Sequence, residues 1–510
     1  MGTHLNRACQ LGLLAKDLAK VRCRQRGPQR DLALRQLVDR LGLMHGLPQK
    51  IGQLLSFSEL DESDPAFTRL TENSPTLLAA DACAEIEQQL ERPIEDCFAW
   101  IDPTGISASI GQVHRAGLHD GREVAVKIQY PGLAEQTRCD LRALGWLTAP
   151  VGHLGRAYDL AAYRREIGEM LAAELDYPRE AAQLRQFAEW TQTWPGLVLP
   201  EVVGEFSGPR LLTTTWLSGE RLASARGWTL SERTEAAALI LRFFLTSIFQ
   251  WGCLHADPHP GNYRFRRGDG TVQMGVLDFG CVKQLHPAFV AGLRGLLAEA
   301  GQGTATPESV WQHFMGMGFN AALLAPLRAN LWPVAQILYE PFLASAPYLV
   351  TGWNPGARIA ALLGPQRMAF RLAGPPAMIY FLRTFQGVLH YLKAFAAPVN
   401  WHTTLAACGK QQARPKSKPS QDICFQSPTM QSDTLHIQVN EGGQSRVALT
   451  FGAGATDNLP DLVPLELRDK LRQRSIDLSA IAADARRRDY APGELFALED
   501  GGKTVRVWLA

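Results

Sequence analysis

Three short segments, far apart along the chain, constrain its fold more than any other feature. A lysine closes the apolar run Val124-Ala125-Val126-Lys127. A stiff loop reads His255-Ala256-Asp257-Pro258-His259-Pro260-Gly261-Asn262. A carboxylate then ends the apolar stretch Met274-Gly275-Val276-Leu277, in Asp278-Phe279-Gly280. Each supplies a different group: an ammonium for phosphate oxygens, an Asp with an Asn behind it, and a carboxylate suited to a hard divalent cation. A chain that uses all three must bring a strand, a loop and a second strand end to one point.

The order and the Asp-x-x-x-x-Asn spacing match a kinase catalytic loop followed by Asp-Phe-Gly. The expected ligands are ATP or ADP with Mg²⁺. Lys127, on the third strand of a small antiparallel sheet, would meet the phosphates, and Glu180 would hold it in place. A lone strand lysine ordinarily snorkels to solvent; the later motifs argue for function. Asp257 would handle the nucleophile's proton, while Asn262 and Asp278 would hold metal. His255 and His259 admit a metal-ligand reading, with a hydrogen-bonded brace favoured. No G-x-G-x-x-G precedes Lys127: Ile106-Ser107-Ala108-Ser109-Ile110-Gly111-Gln112 stands there. Side chains in that loop forbid the close backbone approach that glycines allow. No Ala-Pro-Glu follows soon after Asp278.

Composition sets wide bounds. The 510 residues leave room for two to four domains at about 100–200 residues each. A formal charge of +2 gives no field for nucleic acid, so none is expected as a partner. The basic cluster Lys16, Lys20, Arg22, Arg24, Arg26 and Arg30 reads first as a solvated helix face, and second as a weak anionic-membrane contact. Nine cysteines without a CxxC pair fit reduced thiols. No secretory signal is expected, and the apolar stretch from Pro341 to Ala357 is broken by Pro347, Gly352 and Pro355. The expectation is a cytoplasmic protein, peripheral at most on the inner face of a membrane.

Helical periodicity covers Asp31–His45, Gln49–Ser56 and Thr76–Leu90. The period then becomes strand-like at Gln112–Ala116 and Glu123–Lys127, joined by a turn at Asp120-Gly121. Ala161–Trp190 reads as one long helical region, Leu211–Leu217 as a strand, Thr234–Trp251 as an apolar helix, and Pro287 to about Pro398 as helical. Gly409–Thr434 is a linker by composition. Beyond it the tail reads ββααβ.

These segments resemble the UbiB/AarF-type atypical kinase-like family. The matching stretches are Lys50-Ile51-Gly52-Gln53, Ala108 to His114, Val124 to Gly132, Glu174-Leu175-Asp176, His255 to Asn262 and Asp278-Phe279-Gly280. The resemblance implies an α+β, protein-kinase-like two-lobed fold: a helical extension (1–100), an N-lobe (101–220), a helical C-lobe (221–408), a linker (409–434) and a small tail domain (435–510). It implies that Lys50 and Gln53 regulate the site by facing Glu174 and Asp176. It implies nucleotide contacts from Ala108, Ser109, Ile110, Gly111 and Gln112, with adenine held by backbone near Thr215 and Leu217. Ile106, Ser107 and Gln183 depart from the family pattern, as does the Met-Glu pair missing from the hinge. The implied function is an Mg²⁺-dependent ATPase supporting ubiquinone or other isoprenoid-lipid metabolism, with membrane lipid or biosynthetic proteins as partners. A true kinase of a small molecule or lipid, and a nucleotide-sensing scaffold without useful turnover, remain alternatives.

Overall fold

The computed structural model describes residues 77–108, 110–133, 160–268, 270–410 and most of 434–441, 444–452 and 476–509. Lys50, Gln53, Ser109 and the helices expected over 31–45 and 49–56 lie outside the described residues, as does most of the linker and of the helix expected at 464–474. The chain forms two compact units that divide between Pro415 and Lys416.

In the first unit a five-stranded antiparallel sheet comes first. Its strands are β1 (Trp100–Ile101), β2 (Ile106–Ser107), β3 (Gly111–Gly117), β4 (Glu123–Gln129) and β6 (Leu211–Thr215), ordered β1-β3-β4-β6 with β2 on β3. The two-residue β1 makes the lysine strand fourth rather than third. Alternation of β-branched residues drives β4: Val124, Val126 and Ile128 are all buried completely on one face. They pack there with Ala116, Phe98 and Ile86, the last from helix α1 (Ala79–Leu90). Each such side chain contributes roughly 1.5–3 kcal/mol. Helix α1, expected in the N-terminal extension, therefore shares the core of the sheet. Lys127 points to the other face.

The helical region after the sheet is two helices, α2 (Leu160–Glu174) and α3 (Tyr177–Thr191). The break has a local cause: Asp176 caps α3 by accepting the Arg179 N–H at 2.9 Å, and Pro178 sits in the first turn. Beyond β6 lies α4 (Leu230–Phe249), opened by a Thr229/Glu232 capping box. Its apolar face is the centre of the main hydrophobic core. Two small sheets rest on it: β7 (Cys253–His255) with β10 (Val282–Gln284), and β8 (Tyr263–Gly268) with β9 (Thr271–Val276) and the parallel β5 (Leu197–Val198). Helices follow, among them α5 (Pro287–Gln302), α6 (Met378–Phe395) and α7 (Trp401–Lys410). Both lobes of the expected kinase-like α+β fold are present.

The second unit carries one strand more than the ββααβ expectation. Strands β11 (Thr434–Glu441), β12 (Gln444–Gly452), β13 (Gly493–Asp500) and β14 (Lys503–Leu509) form one antiparallel sheet ordered β12-β11-β14-β13. Helix α8 (Leu478–Arg487) supplies Ala482 and Ala485 to a core with Leu435, Ile437, Phe496, Leu498, Val505 and Val507. The extra strand pairs Asp500 with Lys503. A bulge between Glu494 and Phe496 breaks its alternation, which hides a strand from a period-two reading.

Candidate active site

Helix α3 places the first carboxylate. With the helix start fixed by Asp176, Glu180 falls one turn in and turns inward beside Ala181 and Leu184. Its two oxygens accept from Lys127 Nζ at 2.9 Å each. Lys127 Nζ also donates to Asp278 Oδ2 at 2.7 Å. One ammonium thus joins strand β4, helix α3 and the segment after β9. The side chains are 13% (Lys127), 3% (Glu180) and 30% (Asp278) exposed, so the opening lies on the Asp278 side.

This enclosure sets the charges. Burial alone would pull the Lys127 ammonium down, but Asp278 and Glu180 outweigh it and hold its pKa well above that of a free lysine. Burial, then repulsion from Asp278, pushes Glu180 up to about 7 against the pull of Lys127. Burial opposes ionisation of Asp278 too, yet Lys127 and the Gly280 N–H keep it below the usual carboxylate range. Of the two acids, Asp278 is the one held as an anion. The Tyr177 ring lies 5.1 Å from Nζ and closes the lysine from below.

Phe279 is fully buried, its ring 5.0 Å from Phe187 of α3 and 5.2 Å from His255. His255 Nε2 meets the Asp278 carbonyl at 2.6 Å, and Nδ1 meets the Tyr263 hydroxyl at 3.1 Å. A carbonyl can only accept, so Nε2 carries the proton and Nδ1 accepts from Tyr263. Burial lowers the His255 pKa and favours that neutral form. His259 Nδ1 accepts the Gly261 N–H at 3.0 Å. Both histidines have the bracing bonds of structural residues.

Asp257 leaves β7 at the head of the loop and is 14% exposed at its side chain. Asn262 Nδ2 faces the Asp257 carbonyl at 3.5 Å, and the Asn262 carbonyl accepts the Leu277 N–H at 2.9 Å. The loop is thereby tied to the segment that carries Asp278. Asp257 Oδ1 accepts from Arg383 Nη2 of α6 at 2.6 Å. Sequence reasoning missed Arg383. Its signal was a lone charge in the otherwise uncharged run Met378–Leu389, where an unpaired charge would be costly.

The loop before β3 is braced from within. The Ala108 N–H donates to the Gly111 carbonyl at 2.7 Å, and Ile110 is buried against Tyr130, Tyr177 and Leu212. A Cβ on Gly111 would lie 2.1 Å from the Ile128 carbonyl oxygen, so only glycine fits there. Gln112 pairs with Ile128, one residue out of step with the Val113–Lys127 pair. Its side chain is therefore on the opposite face from Lys127, fully buried, accepting the Leu77 N–H at 2.7 Å. The Gln112 side chain thus faces away from Lys127, and any nucleotide contact at this position would come from its backbone. The Thr215 N–H is donated to the Glu201 carbonyl at 2.9 Å. Leu217 reaches toward Gly275 on β9. Glu174 is buried and its charge acts on Arg383. Asp176 serves as the α3 cap.

The donor set fits a hard cation. Asp278 offers an ionised carboxylate with one exposed side, and Asn262 a carboxamide oxygen, leaving further positions for water or phosphate. No cluster of three or more His, Cys, Asp or Glu suited to a metal occurs among the described residues. A site of this kind would be completed by its ligand.

Residues 69–305 match the ABC1 atypical kinase-like domain. The chain is 28% identical over 350 residues to "Atypical kinase coq-8, mitochondrial" of Caenorhabditis elegans, covering 66% of this chain and 45% of the relative. It is 29% identical over 335 residues to "Atypical kinase COQ8B, mitochondrial" of Rattus norvegicus, covering 64% and 62%. It thus spans about half the length of the curated relatives it matches. Among solved structures, the Rv3197–erythromycin complex from Mycobacterium tuberculosis superposes with a TM-score of 0.50 at 26% identity, over 73% of this chain and 95% of that one. The stretch 69–305 is thus an ABC1 atypical kinase-like domain with COQ8 atypical kinases among its relatives, as the UbiB/AarF resemblance implied.

Proposed function

We propose that this chain binds ATP with Mg²⁺ and hydrolyses it, in support of ubiquinone or related isoprenoid-lipid metabolism. One observation carries the reading: Lys127 is shared by Glu180 and Asp278, and Asp278 is in turn tied to the Asp257–Asn262 loop through the Leu277 N–H on the Asn262 carbonyl and the nearby charge of Asp257. Lys127 would orient the phosphates as a fixed point charge. Asp278 and Asn262 would hold Mg²⁺, which supplies charge neutralisation on the phosphates. Asp257, its Oδ1 held by Arg383, would take the proton of an attacking water. Adenine would meet the backbone around Thr215 and Leu217. The COQ8 relationship supports the link to the ubiquinone pathway.

No helix among the described residues is long and apolar enough to cross a membrane. The proposal includes peripheral contact with a lipid surface. The test is phosphate release from Mg-ATP, with and without anionic vesicles carrying an isoprenoid phenol. Release that depends on Mg²⁺ and rises with the vesicles is expected. A chain that binds no nucleotide would overturn the proposal.

A further inference from the structure

A loop of the H-R-D type carries an arginine beside its catalytic aspartate. Here that position is Ala256, fully buried, and the adjoining cation is missing from the loop. Helix α6 brings one from 126 residues further on: Arg383 Nη2 stands 2.6 Å from Asp257 Oδ1. Arg383 is only 3% exposed at its side chain, so the pair is shielded from solvent and tightly placed.

The contact is one of three on the same helical stripe. Arg383, Gly387 and Tyr391 recur every four residues and so share a face. Gly387 lies against Pro258: a Cβ there would come within 2.1 Å of the proline Cβ. The Tyr391 ring packs 5.3 Å from that of Tyr263, which holds His255. The helix lies beyond the stretch 69–305 that matches the family domain.

We infer that α6 is the rear clamp of the catalytic loop and that Arg383 is a positioning residue, fixing the orientation of the Asp257 carboxylate. This rests on the ATPase reading above. The arginine does not touch nucleotide; it acts through Asp257.

The experiment is a double-mutant cycle of Arg383→Met and Asp257→Asn, with Arg383→Lys added, read as kcat, KM for Mg-ATP and unfolding midpoint. Arg383→Met should lower kcat at least tenfold with KM changed less than threefold, and Arg383→Lys should recover part of the loss. In the Asp257→Asn background, Arg383→Met should cost nothing more. A wild-type kcat in Arg383→Met, or equal losses in both backgrounds, overturns the inference. If the wild-type chain binds Mg-ATP without turnover, the ATPase reading alone fails. The cycle is then decided on the unfolding midpoint, where coupling supports the clamp and additivity overturns it.

Discussion

Lys127 and Asp278 stand 151 residues apart in sequence and meet at 2.7 Å, with Glu180 on the other side of the same ammonium. The lysine therefore survives loss of either acid with one partner left. That separates folding from chemistry in an Asp278→Asn variant: the Lys127–Glu180 pair still ties β4 to α3, while the carboxylate proposed to hold metal is gone. Phosphate release from Mg-ATP should fall by about 100-fold or more, the scale for losing a principal electrostatic group. The unfolding midpoint should shift little. Turnover near wild type would discard the metal assignment.

The pH response of the same triad has a definite sign. Glu180 is raised from an ordinary value of 4.5 to about 7 by burial and by Asp278. Between those values the folded chain holds a proton that the unfolded chain has released. Stability from this group is full at the acid end of the window and is lost as pH rises through it. Glu180→Gln, which mimics the protonated acid, should gain stability relative to wild type as pH climbs from about 4.5 to about 7. Thermal melts of both proteins across that range check it, and a difference that is flat or shrinks with rising pH contradicts it.

Much of this site was legible in the sequence because its parts are local patterns. The Val124-Ala125-Val126-Lys127 alternation fixes which face carries the lysine, and Asp278 follows directly from an apolar strand. Glu180 could be chosen because it sits on the helical region that follows the strand pair. Arg383 could not: its pairing with Asp257 depends on where a distant helix docks, and one sequence has no period that reports docking. The face taken by the Gln112 side chain was not legible for a related reason. Motif resemblance assigns a segment to a ligand, while side-chain direction depends on register, and a one-residue offset reverses the face. The broken helix at Asp176 was hidden because both halves share helical periodicity.

The orientation of Gln112 can be checked separately. His114 Nδ1 donates to the Asp102 carbonyl at 2.8 Å, so Nε2 must accept from Gln112 Nε2, also at 2.8 Å. Gln112→Ala would strand that buried nitrogen and remove the acceptor of the half-buried Leu77 N–H. Each buried unsatisfied group costs roughly 1–3 kcal/mol, so a destabilisation of about 2 kcal/mol or more is expected. Nucleotide affinity should change less than about twofold, since the amide faces away from Lys127. Denaturant unfolding and equilibrium nucleotide titration are the two measurements. A stable variant with weakened nucleotide binding would return Gln112 to the nucleotide face.

Gly387 offers the sharpest steric test, because two effects of an added methyl compete. Alanine favours a helix interior over glycine by about 1 kcal/mol. The same Cβ would sit 2.1 Å from the Pro258 Cβ and 2.3 Å from its Cγ, in a proline ring that cannot swing aside. Overpacking of this kind costs roughly 1–3 kcal/mol, so Gly387→Ala should be neutral to moderately destabilising overall. The loop must move to admit the methyl, and Asp257 precedes Pro258 directly. A displacement near 1 Å at a reacting group can cost about 100-fold, so kcat should fall by roughly 10- to 100-fold. Nucleotide affinity, set by Lys127 and the sheet, should hold. A Gly387→Ala variant that is as fast as wild type would mean that α6 and the loop are not in rigid contact.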